Sequence, residues 1–487
     1  MKAKVLPLAV AAALAGVAGS ASAAFTYSAA DTAVVRISGS SATNGQLKLY
    51  AANVLCDPAN TTVINKDSNN YAYVCKPKAG AISGLTKTNI AIVKNSAGGS
   101  GNGISPLVAH SALSFIDVFS ATPLTTTVNA VPDIGVSDEE PALLVKAGAA
   151  SGDYTKLNSY GLNVVTFGVP VTLGLRNALQ QAQIASGALP SSCTVGNESE
   201  ACMPSLSKAQ IASIFTGSMV DWSEIGLSNP FGDNAVYVAR RVFSSGTQTG
   251  SRAFFLNDPC TPGAAAFVPG NNGESNTKAD ACNAASYTGT VFEGSGGGNV
   301  ETCVTNHERN HRWAISINST ELPGVSGDQS ELYAAAGGAD QGTKIDNKDY
   351  QRHIKIDGFA PTTWNVATGK YLNWVEAAMN VSNVYALSAD ATAALNAMKR
   401  DFNAPAVLSS LNSGFNTTAL LHAAGDTLLD AGIIAPAHSM DGTAGPVFPA
   451  TKLDTQTTPV NYYTHNLLNS PNTCQPAATL WATGLNN

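Results

Sequence analysis

The stretch RRVFSSGTQTGSRAFF, residues 240–255, joins two adjacent arginines to a turn of small hydroxyl residues and then to a helical pattern. Residues 236–238 just before it are a strand candidate, so the local order is strand, small-residue turn, helix. Only 13% of the residues are charged. Two neighbouring cations in front of such a turn therefore indicate a place that holds an anion.

The same pattern occurs three more times along the chain. Residues 34–37 lead into SGSSAT, residues 90–93 lead into GGSGNG, and residues 134–137 lead into Asp138 and an acidic helix start. Residues 206–222 predict an amphipathic helix that ends at Gly217. Strands that alternate with helices in this way predict an α/β class with mainly parallel sheets.

Turns of this kind can bind anions for a physical reason. The first N–H groups of a helix have no partner within it, and the helix dipole makes that end partly positive. Small residues let an anion approach the backbone closely, and hydroxyl side chains add donors. Because Ser, Gly and Thr are abundant here, each turn alone is compatible with an ordinary structural role. The anion site is therefore predicted only if the four turns converge.

Asp138 has two interpretations. Local sequence favours a helix cap, because an aspartate before a helix start commonly accepts hydrogen bonds from the first N–H groups. In an anion site, however, an ionised carboxylate can only accept hydrogen bonds. It would then bind an anion that still carries a proton, such as monohydrogen phosphate, and would find no donor on sulfate.

The first 23 residues are typical of a secretory signal peptide, with an early positive region, an apolar run at 5–17 and Ala-Ser-Ala at 21–23. That run is too short to span a bilayer, and no later segment is apolar and long enough to do so. The net charge is −7 and no run of Lys and Arg stands out, which argues against nucleic-acid binding. The length of 487 residues favours two domains.

The chain has eight cysteines, and an even number in an exported protein favours disulfides over a metal site. Their spacing suggests the local pairs Cys56–Cys75, Cys193–Cys202 and Cys260–Cys282, which leaves Cys303–Cys474 as the fourth pair. The sequence does not fix this pairing. Residues 257–306 are rich in Gly, Asn and Ser and predict a disulfide-tied insertion or long loop.

Taken in order, the segments SGSSATNGQLKLY, GSGNGI, IGVSDEEP, LSKAQIASIFTGSMVDWSEIG and RRVFSSGTQTGSRAFF resemble the phosphate-binding periplasmic proteins of ABC transporters, the PstS-like group. The similarity covers residues 36–256 and continues more weakly through RWAISIN and HIKIDGFAPT. It implies a two-lobed clamp of the type II periplasmic-binding-protein kind, with mixed, mostly parallel sheets and helices on both faces. Lobe one would take residues 24–166, lobe two residues 167–370, and residues 371–487 would return to lobe one and form a C-terminal extension.

The resemblance also implies roles for individual residues around a bound phosphate, which are Thr43, Ser100, Asp138, Arg241, Ser245, Gly246 and Thr247. Thr43 and Ser100 would donate hydrogen bonds, and Asp138 would accept the phosphate proton. Arg241 would pair with the anion, and the Ser-Gly-Thr turn would cradle it. The implied protein is a non-enzymatic monomer without metal or cofactor. It would bind inorganic phosphate or a related oxyanion in the periplasm or outside the cell, for an ABC permease.

Two positions depart from the family pattern. The family usually has an aspartate two residues after the arginine, and here that residue is Phe243. Arg241 would then lack its partner, or Arg240 would take its place. The residue after the first-turn threonine is usually phenylalanine and is Asn44 here. An oxyanion is therefore better supported than phosphate itself.

Two other functions stay open. Residues 307–311 are a literal H-E-x-x-H, which on a helix would offer two imidazoles to zinc and a glutamate as base for peptide hydrolysis. No amphipathic helix pattern surrounds it, which favours a chance match in a surface loop. Low charge, many small polar residues and disulfides would also suit an extracellular interaction protein with the same fold, since fold does not fix function.

Overall fold

A long mixed β-sheet runs through the chain in this computed structural model, which describes residues 25–271, 282, 289–320, 351–402, 404–412, 461, 463–465 and 472–479. The predicted signal peptide lies outside these residues. The strands of the described part are β1 (Thr32–Gly39), β2 (Cys56–Asn65), β3 (Asn70–Pro77), β4 (Asn89–Asn95), β5 (Leu113–Ile116), β6 (Thr127–Ala130), β7 (Ile134–Ser137), β8 (Leu157–Thr172), β9 (Ser205–Leu206), β10 (Tyr237–Arg241), β11 (Val291–Gly294), β12 (Ala314–Ser316), β13 (Asn318–Ser319), β14 (Gln351–Ile356), β15 (Trp374–Ser382), β16 (Tyr463–Thr464) and β17 (Ala478–Thr479).

Helices alternate with these strands through much of the chain. They are α1 (Asn44–Leu49), α2 (Ser105–Ala109), α3 (Pro141–Lys146), α4 (Leu173–Ala185), α5 (Lys208–Phe215), α6 (Gly246–Leu256), α7 (Gly297–Arg309), α8 (Thr363–Ala367), α9 (Ala389–Phe402) and α10 (Pro405–Asn412). The side chain of Ser207 caps α5, and the chain turns away at Gly217, whose φ of 72° favours glycine. The predicted end of this helix is therefore confirmed.

The long sheet has the strand order β11-β10-β12-β8-β15-β7-β1-β4-β3-β2. Strand β1 pairs in parallel with β4 and β7, and β10 pairs in parallel with β11 and β12. Between these two groups, β8 and β15 pair antiparallel with each other and with their neighbours. The predicted α/β class with a mixed sheet is thus confirmed, and this sheet contains two groups of parallel strands.

Strand β8 connects the two groups and changes partners along its length. Its first part, as far as Thr166, pairs with β15. From Phe167 onward it pairs with β13, β14 and β12. Both groups of strands therefore share one continuous strand.

The main apolar core lies against this sheet. Val35 and Ile37 of β1 and Ile90 of β4 are fully buried within it. These runs of β-branched residues are typical of parallel strands that are covered on both faces. Trp222, in the segment that follows α5, is also fully buried and donates its indole N–H to the carbonyl of Trp313. None of the described helices has both the length and the apolar character needed to cross a bilayer.

The structure corrects part of the disulfide prediction. Two predicted pairs form, namely Cys56–Cys75 and Cys193–Cys202. The predictions of Cys260–Cys282 and Cys303–Cys474 are wrong, because the other pairs are Cys260–Cys474 and Cys282–Cys303. The C-terminal segment returns to the end of α6, which is a long-range contact that cysteine spacing does not reveal.

One local prediction is also corrected. The range 257–306 is predicted as an insertion or long loop, but its last part forms β11 and most of α7, and β11 pairs with β10. The glycines of the connecting GSGGGN turn hide this strand and helix in the sequence. The helix that follows the glycine turn after β4 is short, because α2 ends before His110, whose φ is 50°.

Candidate anion-binding site

Four turns meet where strands of both parallel groups end. One follows β1, one follows β4 as the 3₁₀ turn Gly99–Gly103, one is Asp138 after β7, and one follows β10. The turns after β4 and β10 are joined directly. Ser244 Oγ donates to the carbonyl of Gly98 at 2.6 Å, and the N–H of Gly101 donates to the carbonyl of Ser244 at 2.8 Å. The convergence that the sequence required is therefore present.

Asp138 lies at the centre of these turns and is buried. Its carboxylate accepts hydrogen bonds from the hydroxyls of Ser40 and Thr247, the latter at 3.2 Å, and its backbone N–H donates to Ser100 Oγ at 3.0 Å. Burial raises the pKa of Asp138, while Ser40 and then the charge of Arg241 lower it. The carboxylate thus joins the turns that follow β1 and β10.

The helix-cap interpretation of Asp138 is wrong. The N-cap residue of α3 is Glu140, and no side chain caps that helix. Pro141 at the first helical position starts the helix two residues later than the acidic pattern suggested. The side chain of Asp138 instead contacts the turns that follow β1 and β10.

Arg241 is buried at the end of β10. Its guanidinium group donates to the hydroxyl of Ser41, to the carbonyl of Gly294 at 3.2 Å and to the carbonyl of Ser295 at 2.8 Å. Burial lowers the pKa of Arg241 to about 10, and the charge of Asp138 acts in the opposite direction. Within the described ranges, no carboxylate lies at ion-pair distance from this guanidinium group.

Arg240 does not take the place of Arg241. Side chains alternate between the two faces of a strand, so Arg240 and Arg241 point to opposite faces of β10. Arg240 pairs with Glu293 Oε1 at 2.9 Å and lies 5.5 Å from the ring of Phe267. Phe243, at the position of the expected aspartate, is half exposed and lies under the guanidinium group of Arg252 at 4.7 Å.

The start of α6 provides donors that have no partner within the helix. Ser245 is the N-cap residue, and its buried Oγ has no hydrogen-bond partner in the described part of the chain. The N–H groups of the first helical turn, beginning at Gly246 and Thr247, are free of intrahelical bonds by the geometry of a helix. A Cβ atom at Gly246 would overlap Ser100 Oγ and lie 2.8 Å from Asp138 Oδ2. Only glycine allows α6 to approach the carboxylate this closely.

Thr43 is placed beside the site but is engaged within its own turn. Its hydroxyl donates to the carbonyl of Ser40 at 3.0 Å. Asn44, the other departure from the family pattern, is buried and donates to Ser96 Oγ at 2.9 Å and to the carbonyl of Ser68 at 3.1 Å. Asn44 therefore fixes the first turn to its neighbours.

Sequence reasoning missed three contributors to the site. Ser40 binds Asp138, and Ser41 binds both Arg241 and the N–H of Gly297 at the start of α7, the latter at 3.2 Å. Lys94 is buried and binds the first turn through backbone carbonyls. The signal for Ser40 and Ser41 was present in SGSSAT. For Lys94 it was a single charge in an otherwise apolar strand.

The H-E-x-x-H segment lies partly on a helix, so the prediction of a surface loop is wrong. His307 and Glu308 are in the last turn of α7, where His307 is buried beside Tyr237 with the ring centroids 4.7 Å apart. Glu308 accepts hydrogen bonds from the N–H of Gly174 at 3.0 and 3.2 Å. His311 lies beyond the helix end with a φ of 57° and stacks on Phe231. The two imidazoles are therefore not one helical turn apart on a continuous helix.

No protein-family model matches the sequence, and no curated protein sequence matches it. Among solved structures, the chain is similar to an ABC-type phosphate transport receptor from Vibrio cholerae, with 15% identity over 77% of this chain and 98% of that chain and a TM-score of 0.36. It is also similar to PstS from Borrelia burgdorferi (12% identity, 78% and 96% coverage, TM-score 0.30). A third is an ancestral soluble variant of the human phosphate binding protein (13% identity, 83% and 91% coverage, TM-score 0.38). At these values the likeness concerns the fold alone.

Proposed function

We propose that this chain is an exported, non-enzymatic solute-binding protein that holds inorganic phosphate, or a related protonated oxyanion, between its two lobes for ABC-type uptake. The observation that carries the proposal is the surroundings of Arg241. Among the described residues, this buried guanidinium group is bound to a hydroxyl and to backbone carbonyls, and no carboxylate lies at ion-pair distance from it. A buried cation is costly unless it is paired, and an anion in the cleft would supply the missing charge.

The neighbouring donors support the same ligand. Ser245 Oγ is buried without a partner among the described residues, and the N–H groups at the start of α6 lie beside it. Ser41 and the start of α7 add a second helix end to the same place. Tetrahedral oxyanions are commonly bound by this combination of helix N-termini, hydroxyls and an arginine.

Asp138 favours phosphate over sulfate. An ionised carboxylate offers no donor, so it would repel an anion without a proton. The hydroxyl of monohydrogen phosphate could donate a hydrogen bond to Asp138 while its other oxygens accept from Arg241 and the helix ends. Sulfate carries no such proton near neutral pH, so its affinity should be much lower.

The lobes are proposed to divide where β8 changes partners. Thr166 still pairs with β15, whereas Phe167 pairs with β13. This agrees with a first lobe that ends near residue 166 and a return to it near residue 371. Opening of the cleft would then involve the two places where the chain passes between the lobes, within β8 near residue 166 and near residue 371.

The proposal is tested by calorimetric titration of the mature protein after unfolding and refolding to remove bound anion. We expect phosphate to bind tightly and sulfate not to bind. In Asp138→Asn, phosphate affinity should fall at least tenfold and sulfate binding should appear, because an amide can donate to an anion that lacks a proton. Asp133→Asn, at the other end of β7, is the matched control and should behave like the unmodified protein.

Other outcomes have defined meanings. Equal binding of both anions would keep an anion site but remove phosphate selectivity. Binding of neither anion would overturn the proposal and leave an interaction protein with the same fold. A zinc assay on the same sample checks the metalloprotease alternative, for which we expect no stoichiometric zinc.

A further inference from the structure

Lys94 lies near the end of β4 and is almost completely buried, with 1% of its surface exposed. Its ammonium group donates to the carbonyl of Gly39 at 2.7 Å and to the carbonyl of Ser40 at 3.0 Å. In the part of the chain that the structure describes, no carboxylate lies at ion-pair distance from it. Lys94 and Arg241 are therefore both buried, and neither has a carboxylate at ion-pair distance among the described residues.

The charge of Lys94 is coupled to the cleft. Burial lowers the pKa of Lys94 well below its ordinary value, Asp138 raises it, and Arg241 lowers it further. These two groups, from the ends of β7 and β10, are the charged side chains that act on it. Both belong to the anion site, so an anion bound between them would act on Lys94 as well.

Lys94 also determines the position of the first turn. The carbonyl of Ser40 accepts from both Lys94 Nζ and Thr43 Oγ1, and the hydroxyl of Ser40 donates to Asp138. If Lys94 only fastened this turn, a neutral hydrogen-bond donor would serve equally well. A buried ammonium group is much more costly than a neutral amide, and this difference separates the two roles.

We propose that Lys94 is the second cation of the site and contributes its charge, together with that of Arg241, to binding the anion. The inference rests on the proposed function and adds a binding residue to it. Arg241 and Lys94 together would oppose the two negative charges of monohydrogen phosphate, while Asp138 accepts a hydrogen bond from its hydroxyl. Anion binding stabilises the protonated form of Lys94, so the protein takes up protons when phosphate binds under alkaline conditions.

The test is calorimetry with inorganic phosphate at about pH 9, in two buffers of different ionisation enthalpy. This pH lies below the ordinary lysine pKa of about 10.4, and phosphate is already a dianion there. Any proton taken up on binding must then be bound by a group of the protein and not by phosphate. We compare the unmodified protein with Lys94→Met, which removes donor and charge, and Lys94→Gln, which keeps a donor and removes the charge. Lys87→Met is the control, because Lys87 donates to the carbonyl of Ala30 away from the site.

We expect proton uptake in the unmodified protein and in Lys87→Met, and none in either Lys94 variant. Phosphate affinity should fall about tenfold to a hundredfold in both Lys94 variants, the range for loss of a hydrogen-bonded charge. If Lys94→Gln keeps full affinity and proton uptake, Lys94 only fastens the turn and the inference is wrong, while the proposed function stands. If the unmodified protein does not bind phosphate, the proposed function fails and the role of Lys94 fails with it. Should Lys94→Met not fold, the unmodified protein and Lys94→Gln still decide the question.

Discussion

Arg240 and Arg241 are adjacent in β10, yet they lie in two different regions of the molecule. Arg240 pairs with Glu293 and lies over Phe267. Arg241 binds Ser41 and two backbone carbonyls beside the turns that meet at Asp138. Within the residues described, Arg240 has a carboxylate at ion-pair distance and Arg241 has none.

This difference distinguishes a structural cation from one that is available to a ligand. A buried ion pair is complete within the protein, and removing one partner leaves an uncompensated charge. A guanidinium group stays protonated near neutral pH, so it cannot avoid the cost of a buried charge by becoming neutral. Within the described residues, Arg240 therefore has an ion-pair partner, Glu293, and Arg241 has none.

The strongest test of this comparison is to remove each arginine in turn. Arg241→Ala should weaken phosphate binding by about 3 kcal/mol, or roughly a hundredfold in Kd, the upper range for a hydrogen bond to a charged group. Arg240→Ala should leave the affinity within about twofold and lower the Tm, because Glu293 loses its partner. Isothermal titration and thermal unfolding of both variants measure the two effects. A large loss of affinity in Arg240→Ala with none in Arg241→Ala would reverse the assignment.

Much of the fold could be predicted from local patterns. The strand, small-residue turn and helix units around β1, β4, β7 and β10 were visible, because apolar runs and hydroxyl-rich turns report on local structure. The disulfide Cys260–Cys474 was not predictable, since its cysteines are 214 residues apart and meet only through the return of the C-terminal segment. Strand β11 and helix α7 were hidden by glycines that weaken any periodic signal.

The site was predictable in its residue types and less so in their partners. Asp138 was recognised as a candidate, but local sequence favoured a helix cap, and only the tertiary contacts to Ser40 and Thr247 exclude that. Phe243 suggested that Arg241 lacks support. The carbonyls of Gly294 and Ser295 provide it, and backbone groups have no sequence signature. Lys94 acts through backbone carbonyls in the same way, which is why its role was not apparent.

A buried acid sharpens the comparison, because it can become neutral where an arginine cannot. Glu376 of β15 accepts hydrogen bonds from Thr464 Oγ1 at 2.7 Å and from the N–H of His465 at 3.0 Å. Burial raises the pKa of Glu376 to about 7, with a smaller contribution from the charge of Glu140. The folded state therefore binds the carboxyl proton of Glu376 more tightly than the unfolded state does. This proton binding stabilises the folded state at low pH, and the stabilisation is lost as the pH rises through about 7.

Glu376→Gln should remove that pH dependence. Between about pH 5 and pH 7, the free energy of unfolding of the unmodified protein should fall by about 2 kcal/mol more than that of the variant. Urea unfolding of both proteins at several pH values gives the difference, so that other titrating groups cancel. Phosphate affinity should not change, since Glu376 binds the C-terminal segment. Two parallel curves would show that Glu376 titrates alike in both states.

The smallest expected effect distinguishes two threonines on α6. Thr247 Oγ1 donates to Asp138 Oδ2 at 3.2 Å, whereas Thr249 Oγ1 donates at 3.1 Å to the carbonyl of Ser245 in its own helix. Thr247→Val should weaken phosphate binding by about 1 kcal/mol, a typical value for one neutral hydrogen bond, and Thr249→Val should not change it measurably. Thr247→Ser keeps the hydroxyl and should restore the affinity in the same titration. Equal losses in both valine variants would mean that α6 acts through its overall stability. A loss confined to Thr247→Val would place the anion at the start of α6, beside Asp138. This is the side of β10 to which Arg241 points and from which Arg240 points away.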